Sequence, residues 1–274
     1  MLKNIYWFLF LASATFSSCN EYNKLMKSDD LQLKFDKAIE FYENEEYGKA
    51  YPLLEELIVI YRGTTKSELL SYYLCNCDFY SKDYSLAAFR YKNFANTFPS
   101  SNYVEECKFK SAQCLYLNSP KYSLDQTDTY MALDELRLFA TQFANSPYVD
   151  SCNVLIDELR AKLERKGFEN ARQFYRTRNY KSAIVSFDNL LEDFPGSTYK
   201  EEALYTRFLA TYYLALNSVS SKKMTRIEDS IKSYIKFVDS FSQSSNLKEV
   251  EALYETLLKE KDKLIANKLS DNGL

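Results

Sequence analysis

The chain has 274 residues, a formal net charge of −3 at pH 7 and no histidine. A net charge this small gives no general attraction to nucleic acid. Without histidine, the commonest general base and the commonest metal ligand are missing, which argues against a hydrolase or a zinc site. Only 5 glycines and 5 prolines are present, while aromatic residues make up 16% of the chain, so a helical protein with a large core is favoured.

The first segment of the chain is predicted to be an export signal. Lys3 precedes an apolar run over residues 5–16, and two serines then lead directly to Cys19. The run is too short to span a membrane and is typical of a secretory signal. A cysteine directly after small residues is similar to the lipobox of bacterial lipoproteins, although Phe16 stands where that pattern has leucine. We therefore predict a signal peptide over residues 1–18 and acylation of Cys19, with an ordinary signal peptide before a free cysteine as the alternative.

A lipidated tether is predicted over residues 19–30, because residues 20–27 are largely polar. Several acyl chains, palmitate among them, would hold the protein stably at a membrane, whereas one chain binds only marginally. Removal of the signal peptide would also remove Trp7, the single tryptophan of the chain.

Five stretches share one pattern, in which a small residue is followed eleven places later by an aromatic residue that closes a helix. They cover residues 47–61, 84–98, 130–143, 180–194 and 227–241, with small residues Ala50, Ala87, Ala132, Ala183 and Ser230 and closing residues Tyr61, Phe98, Phe143, Phe194 and Phe241. Twelve residues before three of the small positions stand Ala38, Cys75 and Ala171, and paired small side chains let two helices cross closely. This spacing is that of the tetratricopeptide repeat (TPR). It predicts an all-α, TPR-like superhelix of about five helix pairs, numbered here as repeats 1 to 5, with a capping helix over residues 247–267.

The repeats are irregularly spaced. Successive closing aromatics lie 37, 45, 51 and 47 residues apart, against about 34 in a plain TPR array. The surplus predicts inserted loops over residues 118–128 and 217–224 and one long helix over residues 148–178, which contains Gly167 but no proline. We divide the repeats into an N-terminal domain over residues 31–146, which holds repeats 1 to 3, and a C-terminal domain over residues 147–274, which holds repeats 4 and 5, the long helix and the capping helix.

The first helices of such repeats line the concave face, with side chains at fixed distances from the small residue. In repeats 1 and 2 those positions are mostly aromatic, which suits an extended peptide that ends in an aromatic residue. The groove candidates are Phe35, Ile39, Tyr42, Tyr72, Asn76, Phe79 and Tyr80. The alternative is that half of them are core residues, since aromatic residues at helical spacing more often pack than contact a ligand.

Basic residues are concentrated over residues 160–181, although the whole chain is net negative. This stretch contains eight basic residues and only two acidic ones, Glu164 and Glu169. We call the eight basic residues the basic stripe. They are Arg160, Lys162, Arg165, Lys166, Arg172, Arg176, Arg178 and Lys181. We predict an acidic partner for the stripe, because such a partner relieves uncompensated positive charge. A solvated helix face is the alternative.

Five further cysteines, Cys75, Cys77, Cys107, Cys114 and Cys152, are predicted to pack as small hydrophobic residues. A disulfide between neighbouring first helices stays open as an alternative, because an export signal implies an oxidising compartment. No phosphate loop, metal-ligand pattern or facing carboxylate pair is present. The sequence therefore predicts a protein that is not an enzyme and needs no cofactor or metal.

Several segments of the mature chain carry a resemblance to a known family. They are SSCNEY at the anchor, YRGTTKSE after repeat 1, a segment at the first insertion that contains NSPKYSLDQTDTYMALDELRLF, and a segment along the long helix that begins LIDELRAKLERKGFENARQF. Together they resemble the BamD family, TPR lipoproteins of the outer-membrane β-barrel assembly (BAM) machinery, in the form found in Bacteroidetes-type bacteria.

The resemblance implies a lipid-anchored, periplasm-facing protein of the outer membrane. It implies binding to unfolded barrel precursors, which makes residues 31–146 the substrate side, and to the POTRA domains of a BamA-like barrel-inserting subunit, which makes residues 147–274 the partner side. Accessory lipoproteins are further expected partners, and the small net charge predicts that no nucleic acid is bound. Two alternatives stay open. One is a SusD-like glycan-binding lipoprotein, although that class is much longer and favours exposed tryptophan. The other is a periplasmic TPR adaptor of envelope division and wall synthesis, a class that lacks the inserted segment.

Overall fold

A computed structural model describes residues 21–271 of the protein, with side chains as far as residue 267. The predicted signal peptide and the candidate acylation site, Cys19, lie outside the described residues. Between residues 21 and 271 the chain folds into helices and turns without a strand. The helices are α1 (Leu31–Glu43), α2 (Tyr47–Ile60), α3 (Thr65–Tyr80), α4 (Tyr84–Thr97), α5 (Val104–Asn118), α6 (Thr127–Gln142), α7 (Val149–Arg176), α8 (Tyr180–Asp193), α9 (Lys200–Leu216), α10 (Ser220–Ser240) and α11 (Leu247–Asp271).

These helices pair in chain order. Repeats 1, 2 and 3 are α1 with α2, α3 with α4 and α5 with α6, while α7 with α8 and α9 with α10 form repeats 4 and 5. Helix α11 packs on α10 and caps the last pair. The predicted all-α, TPR-like helical-repeat fold is confirmed.

The predicted small residues lie at the helix crossings. Those of the second helices are all fully buried: Ala50, Ala87, Ala132, Ala183 and Ser230. In the first helices, Ala38 and Ala171 are fully buried and Cys75 is nearly so. In repeat 5 a hydrogen bond of 3.2 Å also joins Thr211 Oγ1 and Ser230 Oγ across the crossing. A larger side chain at any of these positions would force the paired helices apart.

Every second helix ends at its predicted aromatic residue. The C-cap residues of α2, α4, α6, α8 and α10 are Tyr61, Phe98, Phe143, Phe194 and Phe241. The backbone N–H of each donates to the carbonyl four residues earlier. In α4, α6 and α10 the closing ring also packs on a phenylalanine four residues earlier, as Phe98 does on Phe94 at 5.1 Å. The aromatic pattern therefore marks helix ends.

A residue in the left-handed region turns the chain from first to second helix in repeats 1, 2 and 4. Glu45, Lys82 and Arg178 have φ of 61°, 64° and 60°, and each precedes the next helix by two residues. The residue after each of them donates its backbone N–H to a carbonyl five residues earlier, which satisfies the end of the first helix. The backbone of Arg178, a member of the basic stripe, is therefore held in a tight turn.

The two predicted insertions differ in the structure. Residues 119–126 connect α5 to α6 without a helix, which confirms the first loop. Residues 220–224 are helical, so the second predicted loop is wrong and only residues 217–219 connect α9 to α10. No glycine or proline interrupts this stretch, and Lys223 binds Glu260 of α11 at 2.9 Å, which supports the added helical turn. The predicted long helix is confirmed as α7, with 28 residues.

Packing divides the described chain into two compact units. The N-terminal unit holds the chain up to Pro120 together with Asp125–Leu159. The C-terminal unit holds Lys121–Leu124 and the chain from Arg160 onward. The predicted domain boundary after residue 146 rests on expected partner roles and stays a prediction.

The segment before α1 packs onto the N-terminal unit. Residues 21–26 are helical, and Tyr22, Leu25 and Met26 contact the core of repeat 1. Tyr22 also donates a hydrogen bond of 3.0 Å to the carbonyl of Lys49, and its ring meets Phe41 edge to face at 5.8 Å. This part of the predicted tether is thus a packed helix, because its apolar side chains lie on one face.

Among the described helices, none combines the length and the hydropathy needed to cross a bilayer.

Candidate functional site

Three stacked pairs of tyrosines join α1, α3, the start of α2 and the turn before α5 in the N-terminal unit. Their ring centroids are 3.9 Å apart for Tyr42 and Tyr73, 4.8 Å for Tyr47 and Tyr80, and 4.1 Å for Tyr72 and Tyr103. Phe79 meets Tyr80 edge to face at 5.5 Å. We call these seven rings the aromatic cluster. It brings together Tyr42, Tyr72, Phe79 and Tyr80 of the predicted groove, and sequence reasoning missed the other three rings.

Asn76 is the polar centre beneath the aromatic cluster. Its side-chain oxygen accepts hydrogen bonds from Tyr91 at 2.6 Å and from Lys110 at 2.9 Å, and its side-chain nitrogen donates to Tyr42 at 2.8 Å. The residue is only 1% exposed. Asn76 therefore supports the predicted groove from below and has little surface to offer a ligand.

Lys110 of α5 is a member of the site that sequence reasoning missed. Its ammonium lies within 6.0 Å of four ring centroids, which belong to Tyr72, Phe79, Tyr80 and Tyr91. An ion pair of 2.9 Å joins it to Glu106, which also accepts from the Tyr72 hydroxyl at 2.9 Å. Lys110 lies 34 residues after Asn76, one plain TPR period, so the repeat spacing contained the signal that could have found it.

Burial keeps the phenols of Tyr42 and Tyr72 protonated. Desolvation raises the pKa of Tyr42 and of Tyr72 well above the usual value, and it raises the pKa of the fully buried Tyr91 further still. The Tyr72 phenol consequently donates its hydrogen bond to Glu106 without ionising. The cluster offers neutral rings and hydroxyl groups, which suit recognition of a peptide side chain better than acid–base chemistry.

The accessible part of the cluster is small. Tyr80 is 47% exposed, while Tyr42, Tyr72 and Phe79 are half-buried. The remaining predicted groove residues, Phe35 and Ile39, are also half-buried. Phe35 has other ring partners, since it meets Tyr61 at 6.1 Å and lies 4.4 Å below the ammonium of Lys66. A ligand of the cluster would therefore meet Tyr80 first.

Part of the basic stripe holds the first insertion in place within the C-terminal unit. The guanidinium of Arg165 lies 4.3 Å from the centroid of the Tyr122 ring. Lys166 donates to the carbonyls of Tyr122 at 3.2 Å and Leu124 at 2.6 Å. These two cations anchor residues 121–124 of the loop, so their charge already has a structural use.

Other members of the stripe are also engaged. Arg172 forms an ion pair of 2.7 Å with Glu169, although its Nε is buried without a hydrogen-bond partner. Lys162 is half-buried and interacts with other residues. Glu164 accepts from the Ser197 hydroxyl at 2.6 Å and from the Thr198 backbone at 2.9 Å, so it binds the turn before α9 and not a basic side chain.

Four members of the stripe stay exposed without an ion pair or side-chain hydrogen bond to the described residues. They are Arg160, Arg176, Arg178 and Lys181. Three of these lie close together in sequence, around the tight turn from α7 to α8. The exposed charge of the stripe is thus concentrated at this turn.

The five described cysteines are buried free thiols. Burial raises the pKa of Cys77, Cys107 and Cys114 to about 12 and that of Cys152 to about 11, and it raises the pKa of Cys75 further. Thiols in this state are poor nucleophiles and poor metal ligands, which favours the packing interpretation. Within the described residues no group of three cysteine or carboxylate side chains is placed to hold a metal ion.

Two comparisons with known proteins agree with one another. The sequence model of the YfiO family, described as outer membrane lipoprotein, matches residues 27–227 of this chain. A relative, the outer membrane protein assembly factor BamD of Rickettsia prowazekii (strain Madrid E), is 22% identical over 196 residues, which cover 70% of this chain and 76% of the relative. The range matched by the family contains the aromatic cluster, the basic stripe and the first insertion.

Proposed function

This chain belongs to the YfiO family of outer membrane lipoproteins, and we propose that it is a scaffold subunit of the machinery that assembles β-barrel proteins in the outer membrane. The observation that carries the proposal is the family match over residues 27–227, in agreement with a relative named as an assembly factor. The subunit acts by binding and not by catalysis. It works at the periplasmic side of the outer membrane.

Acylation of Cys19 would anchor the protein close to repeat 1. Tyr22, three residues later, already packs on the N-terminal unit. Three residues of extended chain span only about 11 Å, so the acyl chains would hold the N-terminal unit at the membrane surface. Several chains are needed for stable anchoring.

The aromatic cluster is proposed to receive unfolded barrel precursors through segments that end in an aromatic residue. Its neutral rings and the exposed Tyr80 support this assignment. The exposed part of the basic stripe is proposed to bind the POTRA domains of the BamA-like barrel-inserting subunit. In this assignment residues 31–146 serve the precursor and residues 147–274 serve the partner subunit.

The proposed function is tested by affinity purification of the full-length protein from membranes solubilised in mild detergent. We expect recovery of a barrel protein that carries POTRA domains. Recovery of a TonB-dependent sugar transporter in its place would support the SusD-like alternative and contradict the proposal. Recovery of wall-synthesis enzymes would support the adaptor alternative.

The aromatic cluster is tested by photo-crosslinking to a synthetic peptide that ends in phenylalanine. Tyr80→Ala should reduce crosslinking several-fold, because Tyr80 is the most exposed ring of the predicted groove. The matched control is Tyr130→Ala, another tyrosine of the N-terminal unit, which is 58% exposed and lies outside the cluster. Equal crosslinking by both folded variants would exclude the cluster as the peptide site.

The basic stripe is tested by the salt dependence of binding to the isolated POTRA domains. Binding should weaken as ionic strength rises, and Arg176→Glu should weaken it at low salt. Binding that is insensitive to salt and to this substitution would leave the stripe as solvated surface.

A further inference from the structure

Three clefts occupy equivalent places in the repeats. Each is lined by the second helix of one repeat and by both helices of the next. The first, between α2, α3 and α4, has a volume of about 690 Å³, and the second, between α4, α5 and α6, has about 170 Å³. The third lies between α8, α9 and α10 of the C-terminal unit and has about 520 Å³. Because the positions are equivalent, differences in their charge come from sequence and not from fold.

The basic residues of the first two clefts mostly have acidic or amide partners. Arg90 binds Asp78 at 3.1 Å and Glu55 at 2.8 Å. In the second cleft Lys92 binds Glu135 at 2.6 Å. Arg62, which is exposed at the edge of the first cleft, is an exception. In the second cleft Lys108 donates to the neutral amide of Gln142 at 3.2 Å, so each of these two clefts has one basic side chain without an acidic partner among the described residues.

The third cleft is strongly basic, and we call it the cationic groove. Five basic side chains and one acidic side chain line it: Lys181, Arg207, Arg226, Lys232 and Lys236, with Asp229. Arg207 is held by Asp188 at 2.7 and 2.9 Å, and Arg226 donates to the Ser218 hydroxyl. These two arginines are structural, so the three lysines carry the available charge.

The three lysines are open to a ligand. Lys181 and Lys236 are exposed and form no ion pair or hydrogen bond through their side chains with the described residues. Lys232 is 78% exposed and lies 3.7 Å from Asp229, a contact that solvent weakens. Uncompensated charges of one sign repel one another, and a ligand of opposite sign relieves that repulsion.

Three apolar side chains also line the cationic groove, and we call them its apolar floor. They are Ile184, Val185 and Leu214, and Val185 is 58% exposed. Lys181 lies on α8, whereas Lys232 and Lys236 lie on α10, so the charges flank the floor from two helices and do not converge on one point. A single phosphate group would leave this floor uncovered. A peptide with acidic side chains around an apolar one would match both features.

We infer that the cationic groove docks an acidic segment of a protein partner, with an apolar side chain of that segment against Val185. The groove shares Lys181 with the exposed part of the basic stripe. The inference rests on the chemistry of the groove alone and stands whether or not the stripe binds POTRA domains, so it goes beyond the proposed function. It also assigns a binding role to Lys232 and Lys236, which the basic stripe does not include.

The test measures the binding of a short fluorescent peptide, in which glutamates flank a single leucine, to the full mature protein by fluorescence anisotropy. Combined Lys181→Glu, Lys232→Glu and Lys236→Glu should weaken binding at least about tenfold, because three attractive contacts become repulsive. A peptide with serine in place of leucine should bind the wild type several-fold more weakly. Thermal unfolding should be unchanged, since these side chains are exposed.

The matched control reverses three other exposed lysines of the C-terminal unit, Lys200, Lys248 and Lys259, and has the same net charge. Peptide binding should be nearly unchanged in this variant. An equal loss in both variants would show attraction to net charge alone and would overturn the inference. Undetectable binding to the wild type would also overturn it, as would binding of phosphatidylglycerol vesicles or inorganic phosphate to the groove without binding of the peptide.

Discussion

The aromatic cluster of the N-terminal unit and the cationic groove of the C-terminal unit differ in whether their charged side chains have partners. In the cluster the one ammonium, that of Lys110, is paired with Glu106 and lies among four rings. In the groove Lys181 and Lys236 have no partner among the described residues. The same repeat architecture thus supports a neutral, packed surface in one unit and an open, charged surface in the other.

The difference separates stability from recognition. Substitution of a satisfied, buried group leaves its partners without hydrogen bonds in a medium of low dielectric, so the free energy of unfolding falls. Substitution of an exposed, unpartnered charge leaves nothing unsatisfied, so only binding should change. The following predictions test this separation, from the largest expected effect to the smallest.

The largest loss of stability is expected for Asn76→Ala. The substitution removes the acceptor of Tyr91 and of Lys110 and the donor to Tyr42, and it should lower the free energy of unfolding by roughly 4 kcal/mol. Urea denaturation followed by circular dichroism measures the change. The control is Asn93→Ala, an exposed asparagine of the same unit, which should cost less than about 0.5 kcal/mol. Similar losses for the two variants would contradict the role of Asn76 as polar centre.

A pH-dependent loss is expected at Asp78, which is 2% exposed beside Arg90. Burial raises the pKa of Asp78 to about 6, while Arg90 opposes the shift. The folded state therefore binds the proton of the Asp78 carboxyl more tightly than the unfolded state does. The stabilisation that this proton gives to the folded state is lost as pH rises from about 4 to about 6. Across that window the stability of the wild type relative to Asp78→Asn should fall by up to about 3 kcal/mol.

Thermal unfolding at a series of pH values measures the Asp78 effect. Asp134→Asn, an exposed acid of the N-terminal unit, serves as the control and should follow the wild type. A constant difference between the wild type and Asp78→Asn from pH 4 to pH 7 would show that Asp78 does not titrate in this range.

A smaller effect is expected for the pair of Lys110 and Glu106. A double-mutant cycle with Lys110→Gln and Glu106→Gln should give a coupling energy of about 1–2 kcal/mol, because the pair is largely buried and the rings add to the attraction. The exposed pair of Lys92 and Glu135 is the matched control and should give at most about 0.5 kcal/mol. Equal couplings would mean that the surrounding rings do not strengthen the ion pair.

The smallest effect on stability is expected in the cationic groove. Lys181→Gln combined with Lys236→Gln should change the free energy of unfolding by no more than about 0.5 kcal/mol, with a small gain at low salt from reduced repulsion. Urea denaturation at two salt concentrations measures this change. A loss above 1 kcal/mol would show that the lysines stabilise the fold and that the contrast with the aromatic cluster does not hold.

Much of the fold could be predicted from sequence, because its signals are local. Small residues at a fixed spacing mark helix crossings, and Tyr61 and Phe98 end their helices where the pattern placed them. The second insertion could not be predicted as helix, since a polar stretch without glycine or proline is compatible with both states. Its helical state is supported by the contact between Lys223 and Glu260, which are 37 residues apart in sequence.

The candidate site was predicted in part. Tyr42, Tyr72, Phe79 and Tyr80 do belong to one cluster, because positions about one repeat apart become neighbours when helices stack. Tyr73 and Tyr47, which sequence reasoning missed, make the connecting ring contacts. The sequence could not show that Asn76 is buried under them. The basic stripe was visible as composition, yet Arg165 and Lys166 hold a loop that comes about 40 residues earlier in the chain, and only tertiary contacts place it there.

The sequence by itself determined where the paired helices cross and where the second helices end, and it determined that residues 160–181 are rich in positive charge. These properties depend on residues within one repeat, whose spacing is fixed by helical geometry. The tertiary structure decided which of those residues are available. Burial and partners come from helices that lie one repeat or more away, so only the folded chain shows that the charge of Lys110 is enclosed and that of Lys236 is open.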